Sequence, residues 1–190
     1  MASGLAARDL LRASAGSRLG VWSNEPVHST SEPILIRPAT LDDEAILLEL
    51  ARRLTAFDLP VWRRPEDIAK ADAREMTAAV RARSPDSEVL IAERSGRPVG
   101  CLHMLATRDF FGTAHAHISV IATTAGAEGS GVGRVLLERA EAWARQRGHT
   151  LLTLNVFAAN ERARRFYERA GWSAEMLKYA KAIPPGRSPD

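Results

Sequence analysis

Three alternating glycines, Gly129, Gly131 and Gly133, separate a β-rich segment from a long amphipathic one in the sequence EGSGVGRVLL (128–137). Glycine tolerates positive φ and lets a backbone approach a ligand closely. The first N–H groups of a helix have no partner within it, and the helix dipole favours an anion there. The loop could therefore hold a phosphate, although a flexible glycine turn before a helix would have the same spacing.

The loop begins with an anion, Glu128, where a cation would suit a phosphate better. A solvated carboxylate weakens anion binding by backbone amides without abolishing it, and Arg134 just inside the helix offers partial compensation. The loop is not a P-loop, because Gly-Lys-Ser/Thr is absent. It does not match the dinucleotide fingerprint either, because Arg134 stands where the third glycine should be.

Asn160 and Tyr167 are a second pair with useful spacing. Seven residues are nearly two helical turns, so both side chains lie on one face. A phenol with its usual pKa near 10 can donate a proton at neutral pH. Phe166, on the side of Ala163, suits packing, and the alternative is that both aromatic residues belong to the core.

His115 and His117 are two residues apart on a predicted strand and share one face. An ordinary histidine pKa near 6.5 makes His117 a candidate general base, helped by His115. Together with His103 they could instead ligate zinc or copper, but no carboxylate nearby in sequence supplies a further ligand, and we predict no metal. Cys101, on another predicted strand, is expected to be a small core residue.

The elements that position these groups follow from the hydrophobic periodicity. Helices are predicted over 40–54, with Thr40 as N-cap, and over 66–83, 132–147 and 160–170. Strands are predicted over 34–40, 88–94, 98–105, 114–123 and 150–157, and a last one within 176–183. Hairpins followed by a β-α-β-α unit predict an α/β (α+β) fold with a mixed sheet.

Composition limits the function further. The chain has 190 residues, of which 45% are apolar, and a formal charge of +3, too small to indicate nucleic-acid binding. No run approaches the length of a membrane span, and a single cysteine excludes an internal disulfide and fits a cytoplasmic protein. We expect a disordered tail at 1–33, one domain at 34–183 and a short tail at 184–190.

The segments EGSGVGRVLLERAEAWARQRG (128–148) and TLNVFAANERARRFYERAGW (153–172) together resemble the GNAT superfamily of N-acetyltransferases. The first is similar to its acetyl-coenzyme A loop, Q/R-x-x-G-x-G/A, and the second to its later strand and helix. The resemblance is specific over 115–172 and looser back to Ile34. It implies a strongly twisted mixed sheet whose central parallel strands splay apart around acetyl-coenzyme A, the co-substrate.

The resemblance also implies roles for individual residues. Ile121 and Thr123 would pair with pantetheine through their backbones, Asn160 would contact the cofactor, and Tyr167 would protonate the departing thiolate. Glu128 departs from the usual Gln or Arg. The expected pyrophosphate loop consists of Glu128, Gly129, Ser130, Gly131, Val132, Gly133 and Arg134. Some members that acetylate aralkylamines carry a His-x-His pair similar to His115 and His117.

The sequence therefore predicts an N-acetyltransferase that transfers an acetyl group to a primary amine of a small molecule or peptide, by direct attack in a ternary complex. The alternative is a non-catalytic acyl-coenzyme A sensor. Phe57, Leu59 and Trp62 are candidate walls of the acceptor site, and residues 106–114 are a candidate rim. Family members are often homodimers, and neither a nucleic-acid nor a membrane partner is expected.

Overall fold

The structure, a computed structural model, describes residues 32–183. The predicted tails, 1–33 and 184–190, lie outside the described residues apart from positions 32 and 33. In chain order the elements are β1 (Leu35–Pro38), α1 (Glu44–Arg53), α2 (Pro65–Ala82), β2 (Ser87–Arg94), β3 (Arg97–Arg108), β4 (Ala114–Thr123), α3 (Val132–Gln146), β5 (Leu152–Leu154) and α4 (Glu161–Arg169). Within 32–183, no helix is both long and apolar enough to cross a membrane.

The five strands form one mixed sheet in the order β1-β2-β3-β4-β5, which confirms the predicted fold class. All neighbouring pairs are antiparallel except β4 and β5, which are parallel. One face packs under α1 and α2, around Leu50 and Met76, and the other under α3, around Leu136 and Trp143. The sheet is thus covered on both faces, and the parallel pair is the place where its edge can open.

β4 contains an extra residue that changes which way its side chains face. The register with β3 shifts so that Ser119 stands opposite no residue. Ile118, before this bulge, belongs to the core under α3, whereas Val120, after it, belongs to the core under α1 and α2. Bulges that redirect side chains in this way are common beside functional sites.

β5 is shorter than the predicted strand at 150–157. Its parallel pairing with β4 ends where Ile118 meets Leu154, and beyond that point the two strands have no ladder between them. Val156, which lies within the predicted strand but beyond β5, is 37% exposed and lines a cavity. Strand extent here is decided by the divergence of the partner strand, which local periodicity does not contain.

The last predicted strand, within 176–183, is wrong: residues 173–183 carry no regular secondary structure. Met176, Leu177 and Tyr179 are all exposed. A strand needs a partner for its N–H and C=O groups, and in the described part of the chain β5 has no neighbour on its outer edge. Without that ladder the segment forms no strand.

Gly100 on β3 allows the start of α3 to lie directly on the sheet. A Cβ at this position would lie 2.8 Å from the carbonyl oxygen of Ala122 and 3.0 Å from Cγ1 of Val132. Only a residue without a side chain fits between them. The close contact fixes Val132, and with it the loop that precedes α3, against β3 and β4.

Candidate active site

A cavity of about 1150 Å³ opens where β4 and β5 separate. Its walls come from β4, the loop before α3, α4, and the facing parts of α1 and α2. Most of the predicted site residues line it, namely His117, Ile121, Thr123, Glu128, Gly129, Gly131, Val132, Gly133, Arg134, Asn160 and Tyr167. Within the predicted pyrophosphate loop, Ser130 is the one residue that is not part of the described lining, and its hydroxyl donates to the carbonyl of Ala127.

The glycine loop has the conformation that its sequence predicts. Gly129 and Gly131 have φ of 72° and 87°, in the left-handed region that favours glycine. The amides of Glu128 and Ser130 donate to carbonyls within the loop. Five other amides have no acceptor among residues 32–183, those of Gly129, Gly131, Val132, Gly133 and Arg134. They are available to an anion placed at the start of α3.

Glu128 is held between two arginines. Its Oε1 accepts from Nη2 of Arg53 at 2.7 Å, and its Oε2 accepts from Nη1 of Arg162 at 2.6 Å. Arg162, followed by Arg53, lowers the pKa of this carboxyl. The arginines that pair with Glu128 are thus Arg53 and Arg162, whereas Arg134 binds Glu138 one turn further along α3. The two bridging arginines come from α1 and α4, so Glu128 ties three elements together beside the cavity.

The stretch of β4 after the bulge has a strand neighbour on one side only. Its pairing with β3 continues to Thr123, whereas pairing with β5 stops at Ile118. Ile121 and Thr123 lie on this half-open stretch and line the cavity. An extended ligand with amide groups could continue the ladder there, because unpaired backbone groups along a sheet edge accept an added strand.

Asn160 and Tyr167 both line the cavity from α4, as their spacing predicts. Asn160 is also the N-cap of the helix, because its Oδ1 accepts from the backbone N–H of Ala163 at 3.1 Å. The Tyr167 ring packs against Phe166 and Trp172, and desolvation raises the pKa of its hydroxyl to about 12. The phenol is therefore protonated at neutral pH.

His117 lines the cavity from β4 and is half-buried. Its Nδ1 lies 2.7 Å from Oγ1 of Thr153 on β5, which leaves Nε2 for a ligand. The pKa of His117 is lowered, mainly by desolvation. The charge of His115 also lowers it, whereas the charge of Glu75 raises it by less. The ring is thus neutral near pH 7 and can accept a proton.

The other predicted histidines do not line the cavity in the described part of the chain. His115 is buried with Nδ1 3.1 Å from the carbonyl oxygen of Thr113. His103 is also buried, with Nε2 3.0 Å from the Ser87 hydroxyl. Within residues 32–183, no three His, Cys, Asp or Glu side chains are grouped to hold a metal ion, so the alternative of a zinc or copper site has no ligand set there.

Cys101 is a core residue, as predicted. Its side chain is completely buried, and this burial raises the pKa of the thiol to about 12. A nucleophilic cysteine must be a thiolate, so Cys101 has the wrong protonation state for that chemistry.

The candidate acceptor walls separate into two groups. Phe57 lines the cavity and its ring lies 5.5 Å from that of Phe157. Trp62 instead lines a small hollow beside α2 that adjoins the cavity, because Arg63, Ile68 and Ala71 line both, and Leu59 is not part of the described lining. None of the described lining residues comes from 106–114, where Phe110 projects into solvent at the tip of the β3–β4 hairpin. Of the candidate acceptor walls, Phe57 therefore lies in the cavity wall and Trp62 lies in the hollow beside it.

Several charged cavity residues were not anticipated from the sequence, and Asp72, Arg53 and Arg162 are among them. The arginines gave no local signal, because their importance lies in a partner elsewhere in the chain. Asp72 did give one. It lies four residues after Ile68 and four before Met76, so it places a carboxylate on the inward stripe of an amphipathic helix.

The family model described as the acetyltransferase (GNAT) family matches residues 48–172. This match spans more than half of the chain and contains β2 to β5, the glycine loop and α4. The protein therefore belongs to the GNAT family of acetyltransferases. Among curated proteins, no sequence match reaches significance.

Solved structures with the same fold have several activities. A transcriptional regulator from Bacillus halodurans C-125 shares 24% identity over 80% of this chain and 100% of its own, with a TM-score of 0.61. A ribosomal-protein-alanine N-acetyltransferase from Brucella melitensis biovar Abortus 2308 shares 20% identity over 80% of this chain and 100% of its own, with a TM-score of 0.58. An aminoglycoside antibiotic 6′-N-acetyltransferase from Acinetobacter haemolyticus shares 18% identity over 79% of this chain and 99% of its own, with a TM-score of 0.60. These likenesses show the fold and leave the acceptor open.

Proposed function

We propose that this protein is an N-acetyltransferase that moves the acetyl group of acetyl-coenzyme A to a primary amine of a small molecule or peptide. The observation that carries the proposal is one cavity that joins five unpaired amides at the start of α3 to a neutral histidine and a protonated tyrosine. Anion binding and proton transfer are thus both available along one continuous surface.

The chain supplies a distinct contact for each part of an acyl-coenzyme A. The amides from Gly129 to Arg134 suit the pyrophosphate, because several N–H groups and a helix dipole point at one place. The open edge of β4 at Ile121 and Thr123 suits the amide groups of pantetheine. Acetyl-coenzyme A, when bound there, supplies the activated thioester.

The reaction moves three protons, and the cavity has two residues that can transfer them. The acceptor ammonium gives one proton to Nε2 of His117, and the free amine attacks the thioester carbonyl and forms the new C–N bond. As the C–S bond breaks, Tyr167 donates its hydroxyl proton to the sulfur, and the second proton on the nitrogen passes to the resulting phenolate, which leaves a neutral amide and a neutral thiol. The raised pKa of Tyr167 does not prevent this transfer, because the same burial also raises the pKa of a thiol.

The proposal is tested by calorimetry with acetyl-coenzyme A and by acetylation of a panel of amines. We expect binding and transfer, and we expect Tyr167→Phe to lower kcat by about 100-fold while the dissociation constant for acetyl-coenzyme A changes less than about twofold. Binding without transfer to any amine would favour the sensor alternative. Absence of binding would contradict both.

A further inference from the structure

Three carboxylates line the described cavity: Glu128, Glu161 and Asp72. Glu128 binds two arginines, and Glu161 accepts from Nη1 of Arg165 at 3.0 Å. Asp72 has neither a hydrogen bond nor an ion pair with any residue between 32 and 183. Of the three, it is therefore the carboxylate whose charge is left for a ligand.

The position of Asp72 gives it no evident structural role. It lies in the middle of α2, so it cannot cap the helix. It is half-buried, and desolvation, with a smaller contribution from the charge of Glu75, raises its pKa to about 6. A partly desolvated carboxylate without a protein partner lowers stability, and such groups are over-represented at functional sites.

The surface around Asp72 is largely apolar. Ile68 and Ala71 line the cavity from the same helix, and Phe57 lines it from the loop after α1. Two cations lie beside them: Arg63 lines the cavity, and Arg64 lines the adjoining hollow with Ile68 and Ala71. Both are exposed, and neither forms an ion pair with Asp72. A ligand that fits this part of the cavity has an apolar segment and a group that pairs with a carboxylate.

We propose that Asp72 binds a positively charged group of the acceptor other than the nitrogen that becomes acetylated. This inference rests on the proposed function, and it defines the acceptor as a primary amine with a second cationic group on an apolar segment. The attacking nitrogen must be uncharged, whereas a carboxylate stabilises the charged form of any amine that it contacts. Asp72 would therefore slow the reaction if it held the nucleophile.

The separation of Asp72 from His117 supports two distinct amine positions. Asp72 lies one helical turn before Glu75, whose Oε1 accepts from the Ser119 hydroxyl on β4 at 3.0 Å. Ser119 is two positions along β4 from His117, so one helical turn and two strand positions separate Asp72 from His117, on the order of 10 Å, which is close to the span of an extended six-carbon diamine. An acceptor that reaches both ends would bring its reactive nitrogen to His117 and its second charge to Asp72.

The test compares three acceptors of equal length: hexamethylenediamine, aminohexanol and aminohexanoate. For the wild type we expect kcat/KM for the diamine to exceed that for the amino alcohol by about tenfold, as for a hydrogen bond to a charged group, with the amino acid poorest. In Asp72→Asn the preference for the diamine should fall below about twofold, and KM for acetyl-coenzyme A should be unchanged. Glu66→Gln, which removes an exposed carboxylate from the first turn of the same helix, should keep the wild-type preference.

Two results would overturn the inference while the proposed function stands: a diamine preference that survives in Asp72→Asn, or a wild type that acetylates the three amines equally well. Binding of acetyl-coenzyme A without transfer to any of the amines would overturn the inference and the proposed function together. Melting curves of both variants confirm that each is folded, so a loss of preference in Asp72→Asn reports recognition rather than unfolding.

Discussion

Gly131 gives the loop a left-handed backbone and leaves open space beside the unpaired amides. Replacing it by alanine, with a matched control, separates these two properties. Gly131 has φ of 87°, and a Cβ there would meet no protein atom within 4 Å. Gly148 has φ of 75° and equally open surroundings, but it follows α3 at the opposite end, about 25 Å away at the rise of an α-helix. A left-handed alanine costs about 1 kcal/mol, so each variant should melt roughly 2–4 °C below the wild type.

The two variants should differ in their affinity for acetyl-coenzyme A. In Gly131→Ala the methyl group stands among the unpaired amides and displaces a bound phosphate from at least one of them. A hydrogen bond to a charged group contributes about 1.5–3 kcal/mol, so calorimetry should give a dissociation constant roughly 10–100 times larger. Gly148→Ala should bind as the wild type does. Equal affinity in the two variants would refute the assignment of these amides to an anion.

Three other predictions concern pH and packing. The kcat/KM of the wild type should fall as the pH drops through the depressed pKa of His117, below 6.5, and the pH–rate profile of His117→Ala should lack this limb. Gly100→Ala should lower the free energy of unfolding, measured by urea titration, by about 1–3 kcal/mol, because the added Cβ would lie 2.8 Å from a carbonyl oxygen of β4. The control Gly126→Ala, where a Cβ meets nothing within 4 Å, should show almost no change in the same titration. The pKa of Asp72 is higher in the folded state, so its charge destabilises the fold increasingly as the pH rises from about 4 to about 6. Asp72→Asn should therefore be more stable than the wild type at pH 8, by about 1 kcal/mol after allowance for screening, and equally stable below pH 4; a variant less stable at pH 8 would contradict this.

Features that depend on neighbouring residues in the chain could be predicted from the sequence. The strand before the loop ends at Thr123, and α3 begins at Val132, as the periodicity indicates. The seven-residue spacing of Asn160 and Tyr167 is enough to place both on the cavity side of α4. In each case one or two turns of regular structure determine the geometry, and residue spacing encodes those directly.

Features that depend on residues distant in the chain could not be predicted from the sequence. The length of β5 is set by the point at which β4 diverges from it, and the segment 176–183 has a strand pattern but no strand beside it among the described residues. The arginine that binds Glu128 from α1 lies 75 positions away in sequence. Pattern arguments describe what a segment prefers, whereas these outcomes depend on what the fold places next to it.

The pairing of Glu128 explains how a carboxylate can stand in a loop that we expect to hold a pyrophosphate. One negative charge lies between the positive charges of Arg53 and Arg162, so the sum of the three is positive. Nε of Arg53 is buried without a hydrogen-bond partner in the described residues, and a guanidinium has five N–H donors, of which a carboxylate uses only some. The carboxylate holds two cations from α1 and α4 beside the unpaired amides, where neither helix would fix them alone. A glutamate at this position is therefore compatible with anion binding, provided that both arginines remain.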